Sequence, residues 1–185
     1  AALLLDAQDA GRVLTAAERA RVRKMIVASD NDAAVQVYAA VGGPTGLRRA
    51  LGRLGLDDTD PASAFGRTRT TANDQTRMVL ALVAPDSPLN TGARELMLQL
   101  MSSVNADQTW GVSAAAFAGE QTALKNGWLA RSSEGGRWIV NSTGRVSGEK
   151  TDVAVSVLSH GHESQADGVA VVEQIAALTR SHLGW

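Results

Sequence analysis

The chain has 185 residues, a formal net charge of −1, a sequence pI near 6.3 and no cysteine. That length is one domain's worth, enough to bury a real core, and the near-neutral charge excludes a basic nucleic-acid footprint or a polybasic membrane patch. Without cysteine there is no disulfide framework, thiolate zinc site or thiol nucleophile, and the redox compartment stays open.

Ala1-Ala2-Leu3-Leu4-Leu5 opens apolar, with no capping residue ahead of it, and reads as the middle of a helix. It lacks the length of a membrane span and the basic region of a signal peptide. The expectation is a single domain, residues 1–185, whose first part lies ahead of Ala1. A turn at Asp9-Ala10-Gly11 leads to a helix announced by the capping box Thr15 and Glu18. Its apolar stripe is Val22, Met25 and Ile26, with Arg19, Arg21 and Arg23 off it.

After Ala28 come Ser29-Asp30-Asn31-Asp32, then a second helix with Ala34, Val35, Tyr38 and Val41 inward, stopped by Gly42-Gly43-Pro44. A third helix spans about Thr45–Leu54. The segment Leu56–Thr71 is a long loop that lines something. Thr71 and Asp74 cap a helix through Met78, Val79, Leu82 and Val83, broken at Pro85, and another runs from about Gly92 to Ser103.

Three apolar-alternating runs follow, Thr122–Leu129, Arg137–Val146 and Thr151–Leu158, separated by turn signals at Ser133–Gly136 and Ser147–Lys150. They predict a three-stranded antiparallel meander, with the last strand covered on both faces. The final helix, Asp167–Ser181, presents Val171, Val172, Ile175 and Leu178 at helical spacing. His160-Gly161-His162 reads as a solvated strand end, two histidines without a third ligand, so neither metal nor cofactor is expected. Trp110, Trp128 and Trp138 read as core, with a cleft lining as the alternative.

Two short motifs carry the chemistry. Alone, Ser29-Asp30-Asn31 is a helix cap, with Ser29 and Asp32 spaced as in a capping box. Alone, Lys125 of Lys125-Asn126-Gly127 is a solvated strand lysine, although Gly127 would let a ligand approach the backbone. In this order, helices first and antiparallel strands after, the two resemble the serine acyl-enzymes in which Ser-x-x-Lys, Ser-Asp-Asn and Lys-Thr-Gly converge on one cleft.

The chain thus resembles the class A β-lactamase and penicillin-binding-protein superfamily, in its β-lactamase-like serine hydrolase branch. The likeness runs through Thr15–Val41, Arg69–Leu82, Gln108–Leu129 and the closing strands and helix. It implies an α+β fold, a helical half with an antiparallel sheet and a C-terminal helix, of which two strands and the nucleophile helix would precede Ala1. It also implies roles. Ser29 relays a proton to the departing nitrogen, Asn31 binds a substrate amide, and Asp30 is structural. Lys125, with Asn126 and Gly127, places a substrate carboxylate, and the backbone N–H of Trp128 is an oxyanion donor. An extracytoplasmic or secreted location goes with the resemblance, as does a small-molecule or peptide substrate bearing a carboxylate.

Three departures qualify it. No Ser-x-x-Lys lies upstream of Ser29; the one literal match, Ser147-Gly148-Glu149-Lys150, sits in a hairpin turn and is rejected. The loop Leu56–Thr71 has Asp57, Asp58 and Asp60 but no glutamate, where a class A β-lactamase keeps its deacylating base. Asn126 replaces the usual hydroxyl residue. Two readings follow: a serine acyl-hydrolase or D,D-peptidase-like enzyme with its nucleophile on a separate N-terminal segment, or a binding or scaffold protein that has lost the chemistry.

Overall fold

The computed structural model describes residues 1–185, which form two compact units, Ala1–Ser103 and Val104–Trp185. The first is entirely helical: α1 (Ala2–Asp9), α2 (Ala16–Val27), α3 (Asn31–Ala40), α4 (Gly43–Arg53), α5 (Ala72–Leu80) and α6 (Thr91–Met101). In α1, Leu3, Leu4, Leu5 and Ala7 are all buried and no side chain caps the helix at Ala1, the pattern of a helix covered on all sides rather than along one stripe. The α2 capping box forms as expected, and Arg12 grips Glu18 through two nitrogens at 2.8 and 3.0 Å. That grip, with the Thr15 backbone N–H, holds the Glu18 carboxyl down at about 2.

The junction of α3 and α4 differs from the sequence expectation. α3 stops at Ala40, but Pro44 is not part of the stop; it sits in the first turn of α4, where its missing N–H costs nothing. The break is made at Gly42, in the left-handed region at φ 85°. Val35, expected inward, is 55% exposed, and Ala33 is the buried residue of α3.

The long loop closes on itself. Asp60 and Arg69 exchange both backbone hydrogen bonds, at 2.8 and 3.1 Å. Beside that bridge the Thr59 hydroxyl donates to the fully buried Asp74 carboxylate at 2.7 Å, which Arg77 also pairs at 3.0 Å. The α5 helix ends at Leu80, short of the expected Val83. Side chains replace its continuation: Ser87 donates to the Ala81 carbonyl and Arg94 to those of Val83 and Ala84.

The second unit is a meander, β1 (Gln121–Arg131), β2 (Arg137–Ser147) and β3 (Asp152–His162), followed by α7 (Gln165–Leu183). β1 and β3 are edge strands, since each pairs only with β2. The core gathers Leu124, Val140, Val146, Val155 and Val157 from the sheet with Val112, Ala115, Val172 and Ala176. β3 is buried on its Val155 and Val157 side, while Ala154, Ser156 and Leu158 opposite are only half-buried.

The inward face of α7 corrects the expected one. Gly168, Val172, Ala176 and Arg180, spaced four apart, are buried, whereas Val171, Ile175 and Leu178 are 37%, 42% and 59% exposed. The cause is proximity: a Cβ on Gly168 would lie 2.3 Å from Cγ2 of Val140. At Gly168 the helix crosses the sheet too closely for any side chain. Arg180 closes the end of the face, stacked between the Phe117 and Trp185 rings at 4.2 and 4.6 Å and paired with Glu120 at 3.0 Å.

In the helical unit the tightest constraint is Gly46, whose Cβ would stand 1.5 Å from the Val41 carbonyl oxygen. Gly46→Ala should therefore lose about 1–3 kcal/mol or more in chemical denaturation, despite alanine's higher helix propensity. Unchanged stability would contradict this packing.

Candidate functional site

The predicted site residues fall into two groups, one in each unit. In the first, Asp30 is the N-cap of α3, its carboxylate accepting from the Ala33 N–H at 2.7 Å. That corrects the expectation of a capping box from Ser29 and Asp32: the cap is one residue later. Ser29 consequently stands between two helices, after the α2 C-cap Ala28 and before Asp30. It is the one non-glycine residue with positive φ, at 54°. A left-handed serine costs on the order of 1–2 kcal/mol relative to the right-handed form. Asn31 is exposed in the first turn of α3.

In the second unit, Lys125 stands on the edge strand β1, opposite Thr143 of β2. Its Nζ donates to the Asn126 carbonyl at 2.8 Å and lies 5.9 Å from the centre of the Trp128 ring. Burial lowers its pKa to about 8, because the ammonium has lost much of its hydration. Gly127 is exposed, and a Cβ there would meet nothing within 4 Å. No packing demand inside the chain accounts for that glycine, so its face is open.

Asn126 departs from its expected role. The resemblance puts it in the carboxylate pocket; instead its side chain is turned inward, 4% exposed, and Nδ2 donates to the carbonyls of Gln108 at 2.9 Å and Trp110 at 3.0 Å. Both amide hydrogens are thus spent on the loop ahead of β1, and Oδ1 is buried without a partner. The same loop is fastened twice more. Ser142 Oγ accepts from the Val112 N–H at 2.9 Å, and Glu173 of α7 accepts from the Gly111 N–H at 3.3 Å. Gly111 has φ 94° and a Cβ there would lie 2.3 Å from Ser142 Oγ, so no other residue fits. Trp110 rides on this loop and meets Trp128 edge to face, centroids 5.8 Å apart. These supports are invisible in the sequence save for the Trp110-Gly111 pair.

Other candidates are settled by their contacts. Ser147 ends β2 and Lys150 lies in a bend, not on a helix. Asp60 is 71% exposed on its side chain and paired with Arg48 at 2.9 Å, so it is no buried base. His162 Nε2 meets Ser159 Oγ at 2.9 Å, but that hydroxyl donates to the Val140 carbonyl. The histidine therefore supports a structural contact and does not activate a nucleophile. No group of three or more acidic or histidine side chains is placed to hold a metal. A cavity of about 200 Å³ in the first unit is lined by Leu4, Val22, Met25, Val37 and other apolar groups. Its one hydroxyl, Tyr38, donates to the Ala62 carbonyl, and no serine, lysine, histidine or acidic side chain lines it.

A family model described as the beta-lactamase enzyme family matches residues 7–183. The chain belongs to that family. Among solved structures, a beta lactamase from Burkholderia vietnamiensis is similar with a TM-score of 0.76 at 22% identity, over 93% of this chain and 64% of that one. A class A beta-lactamase from Mycobacterium abscessus gives 0.74 at 19%, over 91% and 65%. PBP-A, in a mutant acyl-enzyme complex with penicillin G, gives 0.74 at 18%, over 89% and 60%. These likenesses show a β-lactamase-like α+β fold, and the chain spans less than two thirds of each of the three. No curated protein matches. No helix is long and apolar enough to cross a membrane.

Two expectations come from these residues. Ser29→Gly should be more stable than Ser29→Ala by about 1 kcal/mol in urea unfolding, since both lack the hydroxyl and only glycine adopts φ 54° freely. Equal stabilities would mean that the turn is not left-handed. Carbon NMR of the Lys125 side chain, assigned with Lys125→Met, should show a midpoint at about 8. The folded value lies below the unfolded one of about 10.4, so the unfolded state binds more protons in between. Lys125 therefore penalises the fold at neutral pH, and the penalty is relieved as pH rises from about 8 toward 10.4. A normal lysine midpoint would refute its burial.

Proposed function

We propose that this chain is the larger part of a serine acyl-hydrolase or D,D-peptidase-like enzyme whose Ser-x-x-Lys lies on a segment outside residues 1–185. The observation that carries the reading is Ser29, held left-handed at φ 54° beside a helix that Asp30 caps without it. Strain of this kind persists where the surroundings enforce it, and it clusters at functional sites. The desolvated Lys125 beside the open Gly127 supports the same reading from the second unit.

In this reading each unit contributes groups that the family resemblance assigns to acyl transfer. The upstream serine oxygen adds to the acyl carbon while the backbone N–H of Trp128 donates to the developing oxyanion. The carbon–nitrogen bond then breaks, and the departing nitrogen receives a proton relayed by the Ser29 hydroxyl. Asn31 hydrogen-bonds the substrate amide, and Asp30 fixes the turn. Lys125 attracts the substrate carboxylate, with Gly127 leaving room for it. Asn126 contributes by holding the loop behind the strand. Water completes the cycle by cleaving the ester, and here the loop is poor: it has no glutamate, and Asp60 is tied to Arg48. Deacylation is therefore slow. That same feature favours, as a second reading, a binding protein without turnover. An extracytoplasmic location and a small or peptide substrate bearing a carboxylate belong to the proposal.

Intact-mass analysis after incubation with penicillin G separates these readings. Residues 1–185 alone should remain unlabelled, since a serine without an adjacent base is a poor nucleophile at neutral pH. A polypeptide carrying a Ser-x-x-Lys ahead of Ala1 should gain one penicilloyl group slowly and release it more slowly. Its acylation should fall as pH rises through about 8, where Lys125 loses its charge, and Lys125→Ala should slow it by roughly a hundred- to a thousandfold. Labelling of the short chain, or rapid turnover by the long one, contradicts the proposal. A long polypeptide that is never acylated favours the binding protein.

A further inference from the structure

We propose that Trp110 and Trp128 form, with Lys125, a subsite for a planar aromatic group attached to the substrate's carboxylate; this deepens the reading of Lys125 as a carboxylate anchor and rests on it. All three residues belong to the second unit. Trp110 and Trp128 are half-buried and pack against the margin of the second unit's core.

Their mutual geometry is fixed. Trp128 is part of the β1 ladder, opposite Val140. Trp110 is carried by the loop that Asn126, Ser142 and Glu173 fasten. Two indoles meeting edge to face at 63° make a corner and leave ring surface on either side of it. The Lys125 ammonium is 5.9 Å from the Trp128 centroid. A carboxylate oxygen about 2.8 Å from that ammonium leaves an attached ring free to lie within the roughly 4.5–7 Å centroid spacing at which aromatic rings attract. A carboxylate borne on a methyl-bearing or purely aliphatic centre would leave the corner without a flat partner. Gly127, on the same face of β1 as Lys125, has open space where a Cβ would stand and leaves that face unobstructed beside the lysine.

Benzoate is a sufficient probe, with cyclohexanecarboxylate lacking the aromatic face and benzyl alcohol lacking the charge. In nitrogen-15 spectra of residues 1–185, the indole N–H signals of Trp110 and Trp128, assigned through Trp110→Phe and Trp128→Phe, should move on titration with benzoate. Those of Trp138 and of Trp185, which lies against Arg180, should stay. Benzoate should bind about three- to tenfold more tightly than cyclohexanecarboxylate, and Lys125→Met should remove its advantage over benzyl alcohol. Equal affinity for the two acids would overturn the aromatic part of the proposal, and benzoate binding unchanged in Lys125→Met would overturn the whole. So would movement of all four indoles or of none. None of these measurements needs a nucleophile, so failure of acylation by penicillin leaves this result standing, and failure here leaves acylation untouched.

Discussion

The second unit depends on one side chain that offers its hydrogens to the backbone. Asn126 stands on an edge strand, where a residue of its kind is usually solvated, yet it is buried and bridges the carbonyls of Gln108 and Trp110. A serine or threonine hydroxyl has one hydrogen to give and could serve only one of those carbonyls. An amide at this position is thus explained by the loop it must hold. The resulting rigidity fixes Trp110 against Trp128 beside Lys125.

In the helical unit, the equivalent device is a division of labour between neighbours. Three residues in a row could each cap a helix, and Asp30 does. The carboxylate satisfies the α3 N-terminus, and Ser29 takes the left-handed position that ends α2, where the Asp30 N–H donates to the Lys24 carbonyl at 3.2 Å. Glycine is the usual residue at such a stop, so a serine there carries a conformational cost of about 1 kcal/mol.

Much of this is legible in the sequence, and the failures share a cause. Thr15 and Glu18 mark the start of α2 because a capping box is a local interaction, complete within four residues. The meander is legible for the same kind of reason, since alternation and turn residues act locally. What could not be read depends on distances between elements. Val171, Ile175 and Leu178 are among the larger apolar residues of α7, and hydrophobicity alone puts them inside. The sheet comes so near at Gly168 that the face carrying this glycine must go in, and nothing in a single helix announces that. Val35 is exposed while the smaller Ala33 is buried. For Asn126 the only guide is a motif, and a motif says which residues co-occur, not which way an amide turns.

The lowered basicity of Lys125 fits an anchor better than its cost to the fold suggests. With a midpoint of about 8, most of the ammonium is still charged at pH 7, roughly nine parts in ten. A carboxylate arriving within about 4 Å favours the charged form further, so binding and protonation reinforce one another. The partial desolvation that penalises the free lysine also lowers the effective dielectric around it, which strengthens its pull on an anion. A fully hydrated lysine on the same strand would cost the fold nothing and attract a carboxylate weakly, as exposed pairs do. The fold therefore gives up some stability at neutral pH to hold a charge where an anion can use it.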